Sequence, residues 1–182
     1  MDLNVGQKVA YPGQGVCEVE RIELRNVGGC TTECLLLRVV GDDSHILVPV
    51  ANTEAVGIRE VISTSQCRRL IDRLSEDFEE VSTDWKTRSK QFTEKLQSGD
   101  VFEAADVLKK LTFLSHCKKL SFREQTLLEK AKHLLISEIG SAYAEKFDGI
   151  ESRIRELVES ACTKHEKTHP SIAAAAAAAI AH

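Results

Sequence analysis

Aromatic side chains are scarce in this 182-residue chain: six Phe, two Tyr and one Trp, 5% in all. Each is therefore worth locating, because a small aromatic set leaves little to chance in a core or a site. No apolar run approaches the ~20 residues that span a bilayer, so no membrane partner is expected. The opening MDLNVGQKV lacks a basic stretch followed by an apolar one, so a secretory signal is not expected. That points to a reducing cytoplasm, where disulfides are rare. The chain also lacks an excess of basic charge. Its formal net charge is −4, so any surface that attracts nucleic acid must be local. No C-x-x-C pair occurs among the six cysteines. Cys30, Cys34 and His45 come nearest to a ligand set and want a fourth member, so neither metal nor cofactor is expected. G-x-S-x-G, P-loop, H-E-x-x-H and G-x-G-x-x-G motifs are all missing, and the six histidines are dispersed, His165, His169 and His182 lying late in the chain. The expectation is a protein that is not an enzyme.

What is present divides near residue 65. Hydrophobic residues make up 42% and charged residues 29%, the balance of a globular chain. Residues 1–65 hold most of the glycines, two of the three prolines and short apolar runs. Gly28-Gly29 separates Val16–Val27 from Cys34–Val40, and Gly41-Asp42-Asp43 separates Leu35–Val40 from Ile46–Val50. Both are hairpin signals. Tyr11-Pro12-Gly13-Gln14-Gly15 reads as a tight turn. Four or five short antiparallel strands in so few residues predict a small bent sheet or Tudor-like barrel.

The remainder is Gly-poor and helically periodic. Leu70, Ile71, Leu74 and Phe78 share a face. The acidic stretch Glu76, Asp77, Glu79, Glu80 follows. Ser82-Thr83-Asp84 offers N-cap residues before Trp85, whose face continues through Ser89, Phe92 and Leu96. Gly99 ends that helix and Asp100 opens the next. Ser121-Phe122-Arg123-Glu124 is a capping box opening the longest apolar stripe. A last helix is expected over Ile150–Ala161. The chain thus predicts an α+β protein: residues 1–65 as a β domain, 66–162 as an all-α domain, and 163–182 as a flexible low-complexity tail that contains seven consecutive alanines, Ala173–Ala179.

Charge supplies the functional candidate. The only Trp begins a predicted helix and is followed by Lys86, Arg88 and Lys90. A second basic cluster comprises Lys109, Lys110, Lys118, Lys119, Arg123, Lys130 and Lys132. Helix N-termini and basic side chains both favour phosphate. The alternative is a solvated helix face with Trp85 in the core.

Val5-Gly6-Gln7-Lys8-Val9-Ala10-Tyr11-Pro12-Gly13-Gln14-Gly15 resembles the opening of the CarD/CdnL family of bacterial transcription regulators. The likeness continues through Glu20-Arg21-Ile22-Glu23, Leu35-Leu36-Leu37, Val48-Pro49-Val50-Ala51-Asn52, Val56-Gly57-Ile58-Arg59, Trp85, Leu96, Ser98-Gly99-Asp100, Leu120-Ser121 and Glu129-Lys130-Ala131. It covers about residues 1–145. The resemblance implies an N-terminal domain that binds the RNA polymerase β-subunit lobe by strand pairing, with Arg25 and the region of Val39 and Leu47 at the contact. It also implies a helical domain that touches promoter DNA at the upstream fork of the bubble. Trp85 would be a minor-groove wedge there, with Lys86, Arg88, Lys90, Lys130 and Lys132 on the DNA. Two positions depart from the family pattern: Leu47 stands where members often carry Arg, and Thr87 where one carries a basic residue. The expected protein is a monomeric, non-catalytic regulator that stabilises the open complex. The competing expectation is a protein–protein adaptor whose helices never meet DNA. Burial of Trp85 separates the two.

Overall fold

The computed structural model describes residues 3–143 and 147–169. The order of elements is β1 (Lys8–Tyr11), β2 (Gly15–Val27), β3 (Cys30–Val39), β4 (His45–Pro49), a 3₁₀ turn (Val50–Asn52), α1 (Thr53–Val56), β5 (Arg59–Glu60), α2 (Thr64–Ser75), α3 (Trp85–Gln97), α4 (Val101–Cys117), α5 (Phe122–Tyr143) and α6 (Phe147–Thr168). This is the α+β arrangement the sequence predicts: an antiparallel sheet, then helices.

The sheet runs β4-β3-β2-β1-β5, so β4 and β5 are its edges. Gly28 and Gly29 both take positive φ, 60° and 86°, which a two-residue hairpin between twisted strands requires. A bulge between Val19 and Arg21 bends the long β2–β3 hairpin. On β3 the odd positions Leu35, Leu37 and Val39 are buried with Val9, Cys17, Val19, Val48 and Ile58. Leu36 between them is half-buried, which explains the unbroken Leu35-Leu36-Leu37 run.

The helices close over a second apolar cluster, built from Leu70 and Leu74 of α2, Phe92 and Leu96 of α3, Leu108 and Leu111 of α4, Leu135 of α5 and Ile154 of α6, among others. Their starts follow the caps. Asp84 accepts from Thr87 N at 2.9 Å, Asp100 from Phe102 N at 2.8 Å, and Ser121 and Glu124 form the reciprocal box at 3.0 and 3.3 Å. A box at Ser63 and Gln66, not anticipated, opens α2.

The two clusters are joined by polar contacts. Arg59 of β5 makes a fork-to-fork pair with the buried Glu138 of α5, Nη1–Oε1 2.5 Å and Nη2–Oε2 3.0 Å, and also donates to Gly99 O. Glu138 further accepts from Ile62 N at 3.1 Å. The Tyr11–Gly15 turn sits on α5: Gln14 O lies 3.1 Å from His133 Nε2, and Val16 N donates to Ser137 Oγ at 3.4 Å. A Cβ on Gly15 (φ +91°) would come 2.8 Å from Ser137 Oγ. The Pro-Gly turn is therefore a joint between the halves as well as a reversal of the chain.

The C-terminal reading needs correction. The tail expected from Thr163 is helical as far as Thr168, and His165 is completely buried. Its ring stacks on Phe78, centroids 4.1 Å apart, which anchors the last turns of α6. The alanine run lies outside the described residues. Among the described residues, no helix is long and apolar enough to cross a membrane.

Candidate nucleic-acid and polymerase interfaces

Trp85 is the first residue of α3, held there by the Asp84 cap. It is 60% exposed, in sharp contrast to the core of Phe92 and Leu96 two and three turns along the same helix. The Lys86 ammonium lies 5.9 Å from its ring centroid. An open depression of about 420 Å³ is lined by Trp85, Lys86, Ser89, Lys90, Thr93, Glu94 and Arg123. The Trp face and three basic groups thus meet at one end of the helical domain. Lys90 projects with its side chain 78% exposed, 3.8 Å from Glu94.

Arg88 does not join them, and this corrects the expectation. It is 4% exposed and points inward, with Nη2 2.7 Å from Glu124 Oε1 and Nη1 2.6 Å from Ser82 O. Three residues past Trp85, Arg88 lies toward the side of α3 that faces α5. The basic triplet cannot all face one way on a helix of 3.6 residues per turn. Burial alone would raise the Glu124 carboxyl. Ser121 and the Arg88 and Lys118 cations outweigh it and hold the group low, at about 2. This pair ties the first turn of α3 to the first turn of α5. Two helix N-termini therefore open side by side, and Phe122, 85% exposed, is the first residue of the second.

The second basic cluster is also divided. Lys109 is wholly buried, and its ammonium donates to Arg73 O (2.8 Å) and Glu76 O (3.4 Å) at the C-terminal end of α2. Burial pushes its pKa down, against the pull of Asp106. Lys118 joins Glu124, and Lys132 pairs with Glu129 at 2.8 Å. Lys130 and Lys132 line a different depression, about 690 Å³, beside Gly13, Gln14, Gly41, Asp42 and His133. They are not gathered at Trp85. Arg123 is the member that is, although it is not among the expected DNA contacts. Its position just inside the capping box was the available signal.

On the sheet, Arg25 lies opposite Thr32 and Leu47 opposite Leu36, so both share the even face of β3. Val39 is on the odd face and is 1% exposed, which corrects its place among contact side chains; its amide is used by Ser44 O at 2.8 Å. Leu47 is 43% exposed on the edge strand β4, and Ile22 and Leu24 are exposed on β2. Arg25 is exposed and holds Glu23 at 2.7 Å. That contact and Arg21 lower the Glu23 carboxyl.

Cys30, Cys34 and His45 form no ligand group by proximity among the described residues. Buried Cys17 and Cys162 have thiols pushed up by burial, to about 11 and about 12, as expected of packing residues.

Comparison with known proteins agrees with this architecture. The family model "CarD-like/TRCF RID domain" matches residues 3–62 and "CarD, C-terminal domain" matches residues 69–155. YdeB of Bacillus subtilis (strain 168), whose name classes it with transcription factors, is 24% identical over 137 residues, 75% of this chain and 90% of that protein. The 72-residue N-terminal domain of Myxococcus xanthus CarD is 36% identical, covering 32% of this chain and 79% of that one, with a TM-score of 0.30. CdnLNt from the same organism is 38% identical, covering 35% and 89%, also at 0.30. With these two family models in tandem over residues 3–62 and 69–155, the chain belongs to the CarD/CdnL family of transcription regulators.

Proposed function

We propose that the chain bridges RNA polymerase and promoter DNA, binding the β-subunit lobe through its sheet and the upstream edge of the bubble through Trp85. The observation that carries the reading is the exposure of Trp85 at 60% beside Lys86, Lys90 and Arg123. A Trp needed for packing would be enclosed, and the adaptor reading that put it in the core loses its support. Arg123 and Lys130 are seven residues apart on α5, hence on nearly the same face and about 10 Å apart along the axis. They extend the basic contour away from Trp85 along a phosphate backbone. An aromatic wedge costs a few kcal/mol of unstacking, offset by contacts made only to distorted DNA. Binding melted promoter better than duplex shifts the population toward the open complex by that difference in affinity.

On the polymerase side, β4 offers an unpaired strand edge with Leu47 exposed upon it, suited to strand addition. Arg25 on the same face supplies charge at the rim, which acts through encounter and specificity as much as affinity. Leu47 makes the edge contact apolar. The test is a pull-down with the isolated β lobe. Arg25→Glu should weaken capture several-fold with unchanged melting temperature, and Leu47→Asp should do the same. Undiminished capture by both variants would remove this face from the interface.

A further inference from the structure

A group of side chains far from the Trp85 depression has the composition of a metal site. His165 lies in the last turn of α6 and His169 just past its end, where His169 N still donates to His165 O at 2.9 Å, so the four-residue spacing keeps both imidazoles on one side for a shared cation. Their ring centroids are 4.7 Å apart. Asp77, from the segment between α2 and α3, places Oδ1 2.7 Å from His165 Nδ1, and Glu80 Oε1 lies 3.5 Å from His169 Nδ1. One donor atom each from Asp77, His165 and His169 falls within 4.8 Å of the others. His165 Nδ1, which faces Asp77, is the ring nitrogen open to a shared cation, while Nε2 on the opposite edge of the ring is buried and carries the proton. Asp77 and His169 are each about one-third exposed and Glu80 more so, which leaves a path in from solvent.

We propose that Asp77, His165 and His169, with Glu80 as a fourth ligand, bind a borderline-soft divalent cation of the zinc class. Imidazole nitrogens and carboxylate oxygens at four positions suit tetrahedral Zn²⁺, whose ligands at about 2.0–2.2 Å stand roughly 3.4 Å from one another. The donor atoms of Asp77, His165 and His169, within 4.8 Å of one another, must therefore close by on the order of 1 Å. The acidic stretch 76–80 and the late histidines supply this site, and both histidines lie beyond residue 155, where the family match ends. Occupancy would fasten the end of α6 to the segment that leads into the Asp84 cap of α3.

The experiment is calorimetric titration of the chelator-treated full chain with Zn²⁺, in a Cys30→Ser background that removes the exposed thiol. Thermal melting and the visible spectrum of the Co²⁺ form accompany it. The expected result is one Zn²⁺ per chain, a rise in melting temperature on binding, and a tetrahedral Co²⁺ spectrum without a thiolate charge-transfer band. His169→Ala, at a partly exposed position whose loss the fold tolerates, should weaken binding at least about 10-fold. It should also abolish the thermal shift, and Asp77→Asn should repeat both effects. Absence of saturable one-to-one binding, equal affinity in His169→Ala, or a thiolate band would overturn the site.

Discussion

Trp85 and Arg88 are one turn apart and play opposite parts. Trp85 gives its ring to solvent, so Trp85→Ala should change folding stability by no more than about 0.5 kcal/mol, read as urea or thermal unfolding. Arg88 and Glu124 are buried together, so Glu124→Gln leaves a buried cation without its counter-charge and should cost about 3 kcal/mol. The same pair sets an acid response. The Glu124 carboxyl is lower in the folded protein, about 2, than in the unfolded chain, so its contribution is complete above about pH 4.3 and is lost as pH falls toward 2. Melting temperature measured from pH 6 to pH 2 should therefore fall more steeply for wild type than for Glu124→Gln. The sequence displayed Trp85, its cap and its basic neighbours, but not that Arg88 turns inward. Local spacing says that Arg88 and Lys90 leave α3 at different angles. Only the packing of α5 against α3 says which angle is covered. Lys109 was hidden for the same reason, since its partners are carbonyls 33 and 36 residues away.

Among the elements, strands and hairpins were legible because their turns are chemical: Gly-Gly and Gly-Asp-Asp have few other uses between apolar runs. The helix starts at Asp84, Asp100 and Ser121 were legible because caps are local. The end of α6 was not, because His165 is polar and its burial depends on Phe78, Phe113 and Asp77 far up the chain. The Tyr11–Gly15 sequence announces a reversal, while its second use as a joint depends on Ser137 and His133 of α5. Gly15 is confined both by positive φ and by the 2.8 Å approach of Ser137 Oγ to any added Cβ. Gly15→Ala should therefore destabilise the protein by about 1–3 kcal/mol. Hydrogen exchange should report faster opening of both β1–β2 and the adjoining face of α5. Opening confined to the hairpin would mean that the turn is no joint.

At the scale of the whole molecule, a sheet with a free edge and a helical body with an exposed Trp are fastened by Arg59–Glu138 and the Pro-Gly turn. A rigid link of this kind fixes the distance between the two proposed contacts, so binding at one raises the effective concentration at the other. With net charge −4, the free protein should hold DNA weakly. If Lys86, Lys90, Arg123 and Lys130 are the phosphate contacts, the slope of log K against log salt should be no steeper than about −4. Titration of labelled forked DNA at several salt concentrations measures it. On the proposed function, Trp85 acts on distorted promoter and not on the fold. The most direct measurement is the decay of open promoter complexes after competitor challenge, with wild type and Trp85→Ala at equal folded concentration. Complexes with Trp85→Ala should decay several-fold faster while the melting temperature is unchanged. Equal decay rates, together with a melting temperature lowered as for a core aromatic, would contradict that role.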